Sequence, residues 1–218
     1  MRLDDRTMAR RVVTEADRQA VIDVLRATYL REKRWVTAPD AQIPPEDLER
    51  GNVTWFIVNV RARPAGVLRV FYDPPLAAYA KYGFKLIDAA LPVEEFLRSN
   101  RIAEIGRFAV IPRYRRRFML AAALMRAATA ETVARGYTHF ITDVFEDDEH
   151  SPYGFHTRVM GFHPVATHDI GELHCRSRRI TMVLDLKAAY QRLRLRSNWI
   201  YRYLTNQWDE ALHRRLAV

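Results

Sequence analysis

The stretch from Arg101 to Val144 constrains the fold more than any other. Arg101–Val110 alternates as a strand does and is broken at Pro112. An Arg-rich loop follows, then an Ala- and Leu-rich run from Met119 to Ala134 that reads as a helix closed by Gly136. His139–Val144 reads as the next strand. A chain that seats strand, helix and strand in succession needs layers of both kinds, so the class is mixed α/β. The flanks agree. Ala9–Val13 reads as a short strand, and Thr14 with Asp17 as a capping box. Behind it, Ala20, Val21, Val24, Leu25 and Tyr29 mark an amphipathic helix. Val53–Val60 and Val67–Tyr72 read as a hairpin joined through Pro64 and Gly66. Pro74–Asn100 is mixed and is expected to hold short helices. A short helix is expected near His156–Met160, ended by Gly161 and Phe162. Ile180–Leu186 reads as a late strand, and the chain is helical from Leu186 with a break near Ser197 and Asn198. With 218 residues, 49% of them hydrophobic, one large core suffices. The expected organisation is one domain over residues 1–186, with a basic helical extension over 187–218 packed on it.

The net charge of +9 is built almost wholly from arginine: four lysines against 31 arginines. Arg is the better fork for phosphate and carboxylate. A GC-rich codon bias would raise Arg everywhere, so position says more than the total. Arg113, Arg115, Arg116 and Arg117 crowd one loop, and a second group loads the C-terminal part. Such charge admits an acidic protein, nucleic acid or a membrane surface as partner. Cys175 is the one cysteine, so no disulfide forms within the chain and a reducing compartment fits. No signal peptide or spanning segment is apparent, and a cytoplasmic protein is expected. There is no G-x-G-x-x-G and no P-loop to support a dinucleotide or nucleoside-triphosphate site. His150, His156, His163, His168 and His174 show no metal-ligand spacing, and no metal is expected.

The most specific run is Glu104-Ile-Gly-Arg107-Phe108-Ala-Val110-Ile-Pro112. Alternation would put Glu104 and Phe108 on one strand face and Arg107 on the other. The basic loop and the helix start after Pro112 present N–H groups to an anion. Val110, Pro112, Tyr114, Arg115, Gly161 and Phe162 fit the strand, Val-x-Pro, basic turn, helix and late Gly-Phe of the GNAT acyltransferase superfamily, which the chain resembles. Within it, the chain resembles acyl-homoserine-lactone synthases and long-chain N-acyl amino acid synthases. Glu104, Arg107 and Phe108 match their Glu-x-x-Arg-Phe strand, Arg69 an arginine on an earlier strand, and Tyr29 with Trp35 an aromatic ahead of a tryptophan.

The resemblance implies a GNAT-like, mostly antiparallel central sheet flanked by helices. It implies an N-acyltransferase acting on a primary amine of an amino acid or peptide. The glycines that let a backbone approach the coenzyme A pyrophosphate are missing near Arg116, Phe118 and Leu120. An acyl carrier protein presents phosphopantetheine without that pyrophosphate, so acyl-carrier protein is expected as donor over acyl-CoA. No cofactor is expected to stay bound. Asp47-Leu48-Glu49 departs from the Asp-x-x-Asp of the lactone synthases, which argues against lactone production. Glu104 is the candidate base. Thr157 stands where many GNAT enzymes place a tyrosine acid, and Tyr153 is nearby. Arg69 and Arg107 are candidates for an acceptor carboxylate. Phe108, Trp35 and Tyr29 are candidates for a substrate pocket. Val110, Arg113, Arg115, Arg116 and Arg117 are candidates for phosphopantetheine and its acidic carrier protein. The rival reading makes Glu104 a structural ion pair with Arg69 or Arg107, the aromatics core, and the Arg surface a nucleic-acid or membrane contact. A CoA-dependent acetyltransferase is the other enzyme reading.

Overall fold

In the computed structural model, residues 8–196 and 199–217 are described. The first elements are β1 (Ala9–Arg11), α1 (Glu15–Leu25), β2 (Val53–Val60) and β3 (Arg63–Tyr72). Then come β4 (Lys85–Leu86), α2 (Val93–Ser99), β5 (Ile102–Val110) and α3 (Phe118–Ala134). The last are β6 (His139–Phe145), β7 (His163–His168), β8 (Arg179–Asp185), α4 (Leu186–Leu195), α5 (Trp199–Thr205) and α6 (Glu210–Ala217). Eight strands form one sheet in the order β1-β2-β3-β5-β6-β8-β7-β4. Of the pairings described, only β5 with β6 is parallel. This is the expected mixed α/β, mostly antiparallel class. The break expected at Ser197 and Asn198 lies outside the described residues.

The chain divides into two compact units. The first takes in the described part of Met1–Phe71 together with Gly106–Glu131. Here Thr14 accepts from the Asp17 N–H at 3.1 Å, and the Asp17 carboxylate accepts from the N–H groups of Val13 and Thr14. Arg10 pairs with Asp17 at 2.5 Å and, with these donors, holds its pKa down to about 2. α1 runs on into a π-helical turn over Arg26–Glu32. Arg34 then adopts a left-handed backbone (φ 55°), and the Trp35 N–H donates back to Tyr29 O at 2.8 Å. The hairpin is present, but Arg61 and Ala62 make its turn, with φ of 48° and 63°. Two left-handed residues match the twist of a tight hairpin. Pro64 and Gly66, expected in the turn, lie inside β3 opposite Asn59 and Val58, beside a bulge at Val58/Asn59. Gly66 serves packing instead: a Cβ there would sit 3.0 Å from the Ala109 carbonyl.

The second unit takes in Tyr72–Ile105 and the described part of Thr132–Val218. Ile102–Ile105 pair in parallel with His139–Thr142, and all seven residues of β6 pair with β8. β7 and β4 have no counterpart in the sequence expectation. β7 carries Pro164 at a bulge and polar residues at both ends, and β4 has only two residues. Neither yields a legible hydrophobic period. α4 is capped by Asp185, which accepts from the Ala188 N–H at 2.9 Å. Arg215 of α6 donates to the Val133 and Ala134 carbonyls at 3.0 and 2.6 Å, at the last turn of α3. No helix among the described residues is long and apolar enough to cross a membrane.

Candidate active site

In the second unit, register sets one sheet face. Glu104 lies opposite Ile141, Asp143 opposite Thr181, and His168 opposite Arg179. Cross-strand partners share a face, and so do residues two apart on a strand. Glu104, Asp143, Thr181 and His168 therefore project to the same side. The segment Leu76–Tyr82, a short 3-10 helix, lends aromatics to these groups. The Tyr79 hydroxyl donates to Glu104 Oε2 at 2.5 Å, and Glu104 is half-buried. The Tyr79 ring stacks with Tyr82 at 5.6 Å, and Tyr82 with the His168 imidazole at 6.0 Å. Phe84 lies 4.5 Å from the same imidazole.

His168 is fixed from both ends. Its Nδ1 faces Ile170 O at 2.7 Å, and its Nε2 faces Asp143 Oδ2 at 3.0 Å. Both partners are acceptors, so the contacts favour the protonated ring, in which both nitrogens donate. Thr181 donates to the other Asp143 oxygen at 2.7 Å. Burial alone lowers the His168 pKa, but the Asp143 bond and charge with the Ile170 carbonyl raise it above the ordinary value. His156 is the opposite case. It is 1% exposed, packed 4.7 Å from Phe162, and burial pushes it down to about 4.

The two histidines give stability opposite signs of pH dependence. The unfolded state takes up a proton at position 156 that the folded state refuses. Up to about 3 kcal/mol is therefore lost as pH falls from about 6.5 to 4. The His168 contribution is full below the ordinary histidine pKa and is lost as pH rises through its raised value. Urea midpoints between pH 4.5 and 9 check both. His156→Phe should flatten the acid side and His168→Gln the alkaline side. A variant whose profile stays parallel to the parent's would refute its assignment.

The remaining candidates in this unit are near Gly161. Thr157 Oγ1 donates to the Tyr153 carbonyl at 2.8 Å, one helical turn back. The Tyr153 side chain is exposed. Gly161 takes the left-handed backbone (φ 94°) that ends this turn, and its N–H donates to His156 O. Cys175 is half-exposed. Among the described residues, no group of three or more His, Cys, Asp or Glu is arranged to hold a metal ion.

The first unit holds the arginine and aromatic candidates. Arg107 has a left-handed backbone (φ 51°) in the middle of β5. Arg107 Nε donates to Gln42 Oε1 at 2.9 Å. Arg69 lies opposite Trp55 and over the Phe71 ring at 5.7 Å. Phe108 is half-buried. Tyr29 is buried, and Trp35 meets it edge-on at 5.3 Å. Arg115 is a clamp: both Nη groups reach Glu32 at 2.5 Å, and Nε donates to the Val110 carbonyl. The Arg113 and Arg117 guanidinium groups lie over the Tyr114 ring, at 4.8 and 5.7 Å from its centroid. Arg113, Arg116 and Arg117 are exposed. The loop thus divides into one structural arginine and three presented ones. Asp47 is buried and accepts from the Trp55 indole at 2.9 Å, a fixed structural acceptor.

The sequence reading missed Tyr79. It sits in a stretch without clear period, and only the fold brings it to Glu104, 25 residues on.

A family model described as the N-acyl amino acid synthase FeeM matches residues 20–176. No curated protein matches the sequence. Among solved structures, FeeM, an N-acyl amino acid synthase from uncultured soil microbes, is 15% identical with a TM-score of 0.65. That match covers 91% of this chain and 98% of that one. A GNAT-family acetyltransferase structure from Desulfovibrio desulfuricans is 15% identical with a TM-score of 0.55, covering 83% and 99%. An aminoglycoside 6'-N-acetyltransferase complexed with coenzyme A is 11% identical with a TM-score of 0.55, covering 82% and 97%. At such identities these likenesses show the fold, a GNAT fold.

Proposed function

Since the chain belongs to the N-acyl amino acid synthase FeeM family, we propose that it moves a long fatty acyl chain from acyl-carrier protein to the primary amine of an amino acid or peptide. The reaction joins the acyl carbon to the amine nitrogen and breaks its bond to the pantetheine sulfur. The products are an amide and a free thiol. Glu104 takes the proton that the amine must lose, directly or through water. Arg69 and Arg107 receive the acceptor carboxylate, and Phe108, Trp35 and Tyr29 line the apolar path. Thr157 or Tyr153 serves the departing thiolate. Val110 and the turn at Arg113, Arg115, Arg116 and Arg117 meet the phosphopantetheine and the acidic carrier.

The observation that carries this reading is the run from β5 into α3. A half-buried carboxylate on the strand is followed by a glycine-free turn that presents three arginines. Bulky residues in that turn oppose a close pyrophosphate and favour a donor that lacks one. Residues 1–186 form the catalytic domain in this reading, residues 187–218 a basic helical extension, and the site of action is the cytoplasm.

Incubation with acyl-carrier-protein thioesters of several chain lengths and an amino acid panel tests it, with mass spectrometry for amides. Amide from the carrier thioester, and little from acetyl-CoA, is the expected result. Amide only from acetyl-CoA would replace the donor assignment, and no amide from either would overturn the function. Arg116→Glu with Arg117→Glu should raise KM for the carrier thioester about tenfold while KM for the amine holds, since opposite charges steer this encounter. An unchanged KM would remove the carrier from this turn.

A further inference from the structure

The Tyr79–Glu104 pair assigns a role that family membership does not supply. Tyr79 comes from the 3-10 helix over Leu76–Tyr82, and its hydroxyl reaches Oε2 of the carboxylate on β5. A charge-assisted bond of 2.5 Å is at the short end for O–H···O⁻. The phenol is not left to find its own rotamer. Its ring stacks with Tyr82, and Tyr82 stacks with His168. The His168 side chain is 0% exposed and is tied to Asp143 and the Ile170 carbonyl. Asp143 is in turn tied to Thr181. The run of contacts starts on a fixed imidazole ring and ends on the carboxylate, and all of it lies within one compact unit.

We propose that Tyr79 is a positioning residue for catalysis: its hydroxyl fixes one oxygen of Glu104 and so aims the carboxylate at the amine. A base swinging among rotamers loses the orientation that makes proton transfer efficient. The inference rests on the reading of Glu104 as base.

The test uses the full chain, a long-chain acyl-carrier-protein thioester, and whichever amino acid of the panel gives the fastest amide. Tyr79→Phe removes one oxygen and keeps the stacked ring. It should lower kcat about tenfold or more, with both KM values within about twofold and the unfolding midpoint unchanged. Combined with Glu104→Gln, it should cost nothing further, because a residue that acts through the carboxylate has nothing to act on once the carboxylate is gone. Full turnover by Tyr79→Phe beside a slow Glu104→Gln would overturn the inference and leave the base standing. Additive losses, or a Tyr79→Phe chain that fails to fold, would make Tyr79 structural and overturn it too. Full turnover by Glu104→Gln would remove the base, and the inference with it. No amide from the parent chain would instead sink the proposed function.

Discussion

Glu104→Gln is expected to slow amide formation by roughly 10²–10⁴-fold while the chain remains folded. That range is typical when a positioned base is removed. Gln keeps the size of the side chain and an oxygen that can accept from the Tyr79 hydroxyl. It loses the negative charge and the capacity to take a proton. The loss should therefore fall on kcat, with KM for the carrier thioester little changed. The rival is a structural carboxylate paired with arginine. Removing one member of a half-buried ion pair strands the other charge and destabilises the fold. Steady-state rates and a urea midpoint on the same sample separate the two. A slow, stable variant supports the base. An unstable variant, or a stable one at full rate, refutes it.

Arg179→Met should be the most costly substitution for stability, at about 3 kcal/mol or more. The side chain is 3% exposed. Its guanidinium donates to the carbonyls of Asp169 and Leu173 at 2.7 Å each and to Cys175 at 3.4 Å, and it lies over the Phe145 ring. Those carbonyls belong to the segment between β7 and β8, which winds around this one cation. Gly171 leaves the room: a Cβ there would stand 2.7 Å from Arg179 Nε. Met fills similar volume but donates nothing, so three carbonyls lose their donor. Arg178→Met is the control. Its pairs with Glu146 and Asp169 are 3.8 and 3.7 Å long and about half exposed, and it should cost at most a few tenths of a kcal/mol. Urea unfolding measures both. Equal costs for the neighbours would refute the role given to Arg179.

Local chemistry was legible where it is self-sufficient. The Thr14–Asp17 cap, the stop at Pro112, the Ala-rich α3 and the left-handed Gly161 each depend on residues a few positions apart, and each stands where the sequence puts it. The hairpin was legible as two runs but not in its turn. Proline and glycine are the usual turn residues, yet Arg61 and Ala62 took the left-handed positions and Gly66 was needed for packing against Ala109. β4 and β7 were not legible, because their place in the sheet comes from pairing with distant strands and not from any period of their own.

The candidate site divides in the same way. The sequence by itself determined the α/β class, the Glu104 strand and the glycine-free arginine turn, because strand period, proline and glycine act through local backbone sterics. Even the net charge was visible there as a number, +9. Tertiary structure alone decided which arginines serve what. Arg115 is held by Glu32, 83 residues away, and Arg179 is buried under its own loop, while Arg113, Arg116 and Arg117 stay exposed. It alone joined Tyr79 to Glu104 and raised the pKa of His168 while lowering that of His156. A side chain's charge state and partner depend on burial and on groups far along the chain, and those are fixed only when the strands take their register.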